Sequence, residues 1–128
     1  MRRQIYVIVA IAALEGLAGV ALAAAAAHVE ASPLLSSASQ FLTIHAAAGL
    51  GLAALANGLA APSRALVAVI FLLQAGVALF SADLASRALG PGRLFPYAAP
   101  IGGTAVMIAW AALPIWGIAG FFGRGKSE

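Results

Sequence analysis

The sequence predicts an all-α integral membrane protein: an up-down bundle of four transmembrane helices with both termini in the cytoplasm. Three observations carry that expectation. Of 128 residues, 63% are hydrophobic and 9% charged, against about 25% charged in a soluble domain, so there is too little polar surface to face water. The apolar residues fall into four stretches, each close to the roughly 20 residues that cross a bilayer core of about 30 Å. All seven Lys and Arg residues stand outside those stretches.

Taken in order, the spans of this single membrane domain (residues 1–128) are about 4–27, 39–60, 65–86 and 98–121. Ser32-Pro33 and Ser36-Ser37 read as breakers between the first two. Asn57-Gly58 and Pro62-Ser63 separate the second from the third, and Gly90-Pro91-Gly92 with Pro96 separate the third from the fourth. The links are short, so consecutive helices should be antiparallel neighbours. Ala and the 14 Gly favour close helix packing, because small residues let backbones approach in lipid. Arg2, Arg3, Arg64, Arg124 and Lys126 fall on one side, and Arg87 and Arg93 on the other. The positive-inside rule then places both termini in the cytoplasm. Arg2-Arg3, an apolar run and Ala23-Ala24-Ala25 imitate a secretory signal. That run is too long for a signal core and holds Glu15, so a retained span is expected.

Four local patterns resemble one family. Ala26-Ala27-His28 looks like its Gly-Ala-His element, and Phe41-Leu42-Thr43-Ile44-His45-Ala46 like its Tyr-Gln-x-Tyr-His-Ala element. Phe80-Ser81-Ala82-Asp83-Leu84 looks like its Phe-Ser-Gly-x-Leu element. Ala99-Pro100-Ile101-Gly102-Gly103, followed by Trp110, looks like its Thr-Pro-Ile-Gly-Gly…Gly-Trp element. The family is the small bacterial membrane proteins called domain of unknown function 423, similar to eukaryotic transmembrane protein 256. The chain departs from it where Phe41-Leu42 replaces Tyr-Gln and where alanines precede His28. The resemblance implies the four-span topology and a bacterial inner membrane, and it supplies no biochemical activity.

The polar residues inside the spans are few. Glu15 interrupts the first span at its middle. A charged side chain there costs several kcal/mol unless it is neutralised or paired, so it marks a site by default. Gln74 stands near the middle of the third span, and a protonated Glu15 hydrogen-bonded to the Gln74 amide is the expected arrangement. The bland reading is an interhelical clamp worth about 0.6 kcal/mol or somewhat more; the functional ones are a proton relay, a substrate contact or a contact with a partner subunit. A second polar layer is expected about 6–8 Å outward of the midplane from His45, Ser81 and Thr104, by helix rise. Asp83 stands next, with Arg87 four residues on, a spacing suited to a salt bridge, and His28 caps the outer end of span 1.

Chemical readings of this layer compete with a bland one, in which His45 is satisfied by Ser81 or Thr104 and sets helix register. A metal site from His28, His45 and Asp83 needs three or four convergent ligands, yet the two histidines differ in depth by about 10 Å. Bis-histidine haem ligation meets the same obstacle, and a Ser81–His45 nucleophilic pair lacks an orienting acid and an oxyanion hole. No metal or cofactor is therefore expected. Pro100-Ile101-Gly102-Gly103 reads as a helix start with close packing, or as a helix N-terminus that could hold an anion.

The +3 net charge includes no dense basic patch with aromatics, so nucleic acid is not an expected partner. With no cysteine, thiol and iron–sulfur chemistry are excluded. The expected partners are the lipid bilayer and either a second copy or a larger membrane complex. The expected function is a structural or accessory membrane protein; the alternative is a small-molecule, ion or proton handler with an outward-facing polar pocket. An enzyme has least support.

Overall fold

The computed structural model describes residues 2–29 and 31–124; Lys126, counted above with the basic residues after span 4, lies outside them. Among the described residues four helices make up the fold: α1 Arg2–His28, α2 Pro33–Gly58, α3 Arg64–Leu89 and α4 Ala98–Arg124. Each is long and apolar enough to cross a membrane, which suggests a membrane protein.

The helix starts follow from local chemistry. The Ser32 hydroxyl accepts the Leu34 N–H at 3.2 Å and Pro33 opens α2, a position where the missing proline N–H has no intrahelical partner to lose. Ser32-Pro33 is thus a helix start, and Ser36 and Ser37 lie inside α2. The expected boundary at Ser39 came six residues late, because a Ser-Pro pair reads equally as a turn. Ser63 caps α3 in the same way, accepting the Leu66 N–H at 3.2 Å. The turn after α3 closes with the Gly90 N–H on the Ser86 carbonyl at 2.8 Å, and Gly92 and Tyr97 take positive φ before α4. Pro114 lies within α4 without ending it.

Residue pairings give the directions. Gly19 meets Leu42 and Thr43, Gly16 meets Ala46, and Gly49 meets Ala12. As α1 numbers fall, α2 numbers rise, so these helices are antiparallel. Phe41 stacks on Phe80 and Gly49 meets Gln74, which makes α2 and α3 antiparallel. Gly76 meets Val106 while Phe80 meets Gly102, which does the same for α3 and α4. The chain is therefore two hairpins, α1–α2 and α3–α4, joined along α2 and α3.

Close backbone approach holds each hairpin. A Cβ placed on Gly102 would stand 2.6 Å from the Phe80 nitrogen and 2.8 Å from the Gly76 oxygen. Between α1 and α2, Ser39 Oγ donates to the Gly19 carbonyl at 2.8 Å. One apolar cluster, at the end that carries the N-terminus, gathers Ile5 and Ile8 of α1, Ala53 and Ala56 of α2, and Leu66, Val67 and Ile70 of α3. A second joins Leu42, Leu73, Val77, Val106 and Ala109. α4 is the least buried helix, since it lies along α3 on the far side from α1.

Candidate functional site

Among the described residues, four of the six buried polar side chains, His45, Gln74, Glu15 and Ser81, fall in three places. The first is a joint of α2, α3 and α4. His45 Nε2 lies 3.1 Å from Trp110 Nε1, and His45 Nδ1 lies 2.7 Å from the Phe41 carbonyl. An indole N–H only donates. His45 Nε2 must therefore offer its lone pair, which puts the proton on Nδ1 for the Phe41 carbonyl. The Phe41 ring packs 4.3 Å from the His45 ring and 4.5 Å from Phe80, centroid to centroid. His45 thus points inward and bonds to α4, though not through the expected partners.

Ser81 and Thr104 are both absent from this joint. The buried face of α4 is Gly102, Val106 and Ala109. Thr104 lies about 200° around the helix from Gly102 and is exposed. Ser81 follows Phe80 by one residue, about 100° around α3, which turns it from α2 and α4 toward α1.

The second place is a junction of three helices. Gln74 Nε2 donates to the Ile8 carbonyl of α1 at 2.8 Å. Gly49 of α2 leaves room for it, since a Cβ there would stand 3.3 Å from that nitrogen. The expected Glu15–Gln74 bond does not form. α1 and α3 run parallel, and Gln74 is level with Ile8; Glu15 lies seven residues on, about 10 Å along the axis. Span midpoints misjudged this because they carry no information on how far one helix slides past another.

The third place is a crevice of about 490 Å³ between α1 and α3. Glu15 and Ser81 both line it, with Leu42 of α2 behind them. The walls are Leu14, Ala18 and Ala21 of α1 and Ala78, Ala82 and Ala85 of α3. Glu15 is 5% exposed and Ser81 1%. Among the described residues, Glu15 Oε1 and Oε2 and Ser81 Oγ have no hydrogen-bond partner; Gln74 Oε1 shares that condition in the second place. The rim residues Leu14, Ala18, Ala78 and Ala82 are exposed in the middle of their helices. The crevice therefore opens on the side of the bundle.

Asp83 is 1% exposed and accepts the Leu94 N–H at 2.8 Å through Oδ1. Ser86 Oγ donates to the Gly92 carbonyl at 2.6 Å. These contacts tie the α3–α4 loop to the end of α3. The expected Asp83–Arg87 pair gives way to this loop contact, because burial turns Asp83 toward Leu94 while Arg87 stays exposed. His28 is exposed at the end of α1, well apart from His45. Among the described residues no three His, Asp or Glu side chains converge.

Besides the loop and Gln74 contacts already described, three more lay outside the sequence expectations. Ser39 bonds to α1. Trp110 bonds to His45. Trp116 Nε1 donates to Ser63 Oγ at 3.0 Å. None carried a sequence signal: counted from the paired Phe41, Phe80 and Gly102, His45 comes level with Val106, and Trp110 reaches it from about one turn further along α4.

No curated protein and no solved structure matches this chain. One family pattern does match it, over residues 20–103. That stretch contains His28, the Phe41–His45 segment, Phe80–Leu84 and Pro100–Gly103; of these, Phe41, His45, Phe80 and Gly102 lie at the α2–α3 and α3–α4 contacts. The chain belongs to the family described as "Protein of unknown function (DUF423)".

Proposed function

We propose that this chain is a small membrane protein that takes a lipid-phase molecule into the crevice between α1 and α3. One observation carries the reading: Glu15 and Ser81 are buried, lack partners among the described residues and line the same crevice. A buried polar group left without a partner costs about 1–3 kcal/mol, and lipid offers none. A chain selected for packing alone would be more stable with apolar residues at both positions. The remaining wall is alanine, leucine and isoleucine, so an occupant would be mostly hydrocarbon with one polar group. The volume falls within the roughly 300–1,000 Å³ usual for ligand sites, and the lateral opening suits entry from lipid.

The accessory role expected from composition draws on the exposed apolar face of α4, with Met107, Ile108, Ile115 and Ile118. Lipid alone covers such a face, so that observation discriminates less than two stranded polar side chains. The basic residues support cytoplasmic termini by the positive-inside rule, which sets the crevice in the middle and outer half of an inner membrane. Alkaline phosphatase fused to the C-terminus should then be inactive, and an active fusion would invert the orientation.

Native mass spectrometry of the protein, extracted in mild detergent, tests the function. The expected result is a small apolar adduct on the wild type that is lost in Ala82→Leu, which fills the crevice. A bare chain bound only to a stoichiometric protein partner would return the accessory reading.

A further inference from the structure

We infer that the crevice is selective for lipophilic primary amines, whose ammonium group sits between Glu15 and Ser81. The inference rests on the reading of the crevice as a ligand site and adds the chemical class. Three buried acceptor atoms there lack partners: Glu15 Oε1, Glu15 Oε2 and Ser81 Oγ. A primary ammonium carries three N–H donors and no acceptor. One such group answers all three atoms at once. A hydroxyl has one donor and would leave acceptors unmet.

Charge points the same way. The chain supplies Glu15 with no counter-ion: no Lys or Arg occurs from Gln4 to Ser63, or from Ala65 to Ser86 on the facing helix. Arg87, the nearest basic residue along α3, is exposed and lies about 9 Å beyond the level of Ser81 by helix rise. An acid and an amine together make a neutral unit, whether the amine arrives charged or takes the carboxyl proton on arrival. That is the state in which a charged pair is tolerated in hydrocarbon.

Depth narrows the class further. Glu15 is the central residue of α1, about 20 Å from either helix end. The amine of a phospholipid headgroup stays at the membrane surface and does not reach it. The ligand is therefore a single-chain or compact amine whose hydrocarbon lies along Ala18, Ala78, Ala82 and Ala85.

The test uses the whole protein in lipid nanodiscs and a matched pair of photoreactive probes, a diazirine-bearing long-chain amine and the corresponding alcohol. Labelled peptides are mapped by mass spectrometry, with dodecylamine and dodecanol as competitors. The amine should label α1 and α3 around the crevice, and dodecylamine should compete at least about tenfold better than dodecanol, the ratio a charge-assisted hydrogen bond provides. Glu15→Gln should lower amine labelling by about the same factor and leave alcohol labelling unchanged. Equal competition by amine and alcohol on the wild type would overturn the amine assignment while leaving a lipid-phase ligand in place. So would undiminished amine labelling in a Glu15→Gln protein that elutes as the wild type does. Absence of crevice labelling by either probe would overturn both this assignment and the functional reading beneath it. The competition on the wild type decides the class even if the variant fails to fold.

Discussion

Adjacent glycines on α4 should respond oppositely to the same substitution. A Cβ on Gly102 would stand 2.6 Å from the Phe80 nitrogen and 2.8 Å from the Gly76 oxygen, both backbone atoms of α3. Carbon contacts are comfortable at about 3.5–4.0 Å, so Gly102→Ala forces α4 back by roughly 1 Å. Neither obstacle can rotate away, because both belong to the helix itself. Overpacking of this kind costs about 1–3 kcal/mol. The retreat also stretches the 3.1 Å Trp110–His45 bond, which adds about 0.6 kcal/mol. On Gly103 the same Cβ meets only the Phe80 ring, at 3.6 and 3.9 Å. That is ordinary contact, and replacing glycine by alanine inside a helix gains up to about 1 kcal/mol. Unfolding in mixed micelles of increasing SDS fraction, followed by tryptophan fluorescence, gives both free energies. Gly102→Ala should fall below the wild type by about 1–3 kcal/mol, and Gly103→Ala should equal or exceed it. If the two variants have the same stability, the close α3–α4 approach is wrong.

Four further outcomes follow from the polar contacts. Glu15→Leu should stabilise the fold in the same titration by about 1–3 kcal/mol, because it removes two unpartnered oxygens; a loss of stability would mean that Glu15 has a partner within the fold. Gln74→Leu gives up one bond to the Ile8 carbonyl, about 0.6 kcal/mol, and also removes the unpartnered Oε1; it should be neutral or mildly stabilising, whereas Gln74→Ala, which opens a cavity, should cost about 2 kcal/mol or more. A double-mutant cycle with His45→Phe and Trp110→Phe should return a coupling of about 0.6–1.7 kcal/mol, and zero coupling would remove the hydrogen bond between them. Asp83→Leu should speed hydrogen exchange at the Leu94 amide while Asp83→Asn, which keeps the accepting oxygen, should not; equal exchange in the two would place the loop anchor elsewhere.

The helices were legible because each boundary rests on chemistry within a few residues of it. Ser63, Gly90 and the Pro100 turn mark helix ends by their own side chains or backbones. The start of α2 was misread because Ser32-Pro33 is equally good as a turn and as a cap with proline in the first position; six more apolar and small residues beyond it settle the matter only once α1 is there to pack on. The side chains that face inward were legible too, since Glu15, His45, Gln74, Ser81 and Asp83 are all buried. Their partners were not. Partnership depends on axial offset and on rotation about the helix, and neither is a local property. An offset of seven residues separated Glu15 from Gln74, one residue of rotation took Ser81 away from His45, and two residues turned Thr104 out of the bundle.

Those displacements are connected. Gly76 and Gly102 draw α4 onto α3, and this places Trp110 where His45 can use it. His45 then has no need of Ser81. On the opposite side, Gln74 holds α1 at Ile8, and Ile5 and Ile8 fill the cluster below. Above that clamp α3 offers only Ala78, Ala82 and Ala85 beside Ser81, and α1 brings Ala18 and Ala21 among larger residues; the alanines are too short to close the gap. The crevice follows from a tight contact at one end and small side chains along the rest. Glu15 and Ser81 come level because the clamp sets the register, seven residues on from Ile8 and Gln74 alike. The aromatic joint satisfies its own polar atoms and behaves as structure. Among the described residues the crevice leaves Glu15 and Ser81 without partners, which is why the proposed ligand site is put there rather than at the histidine.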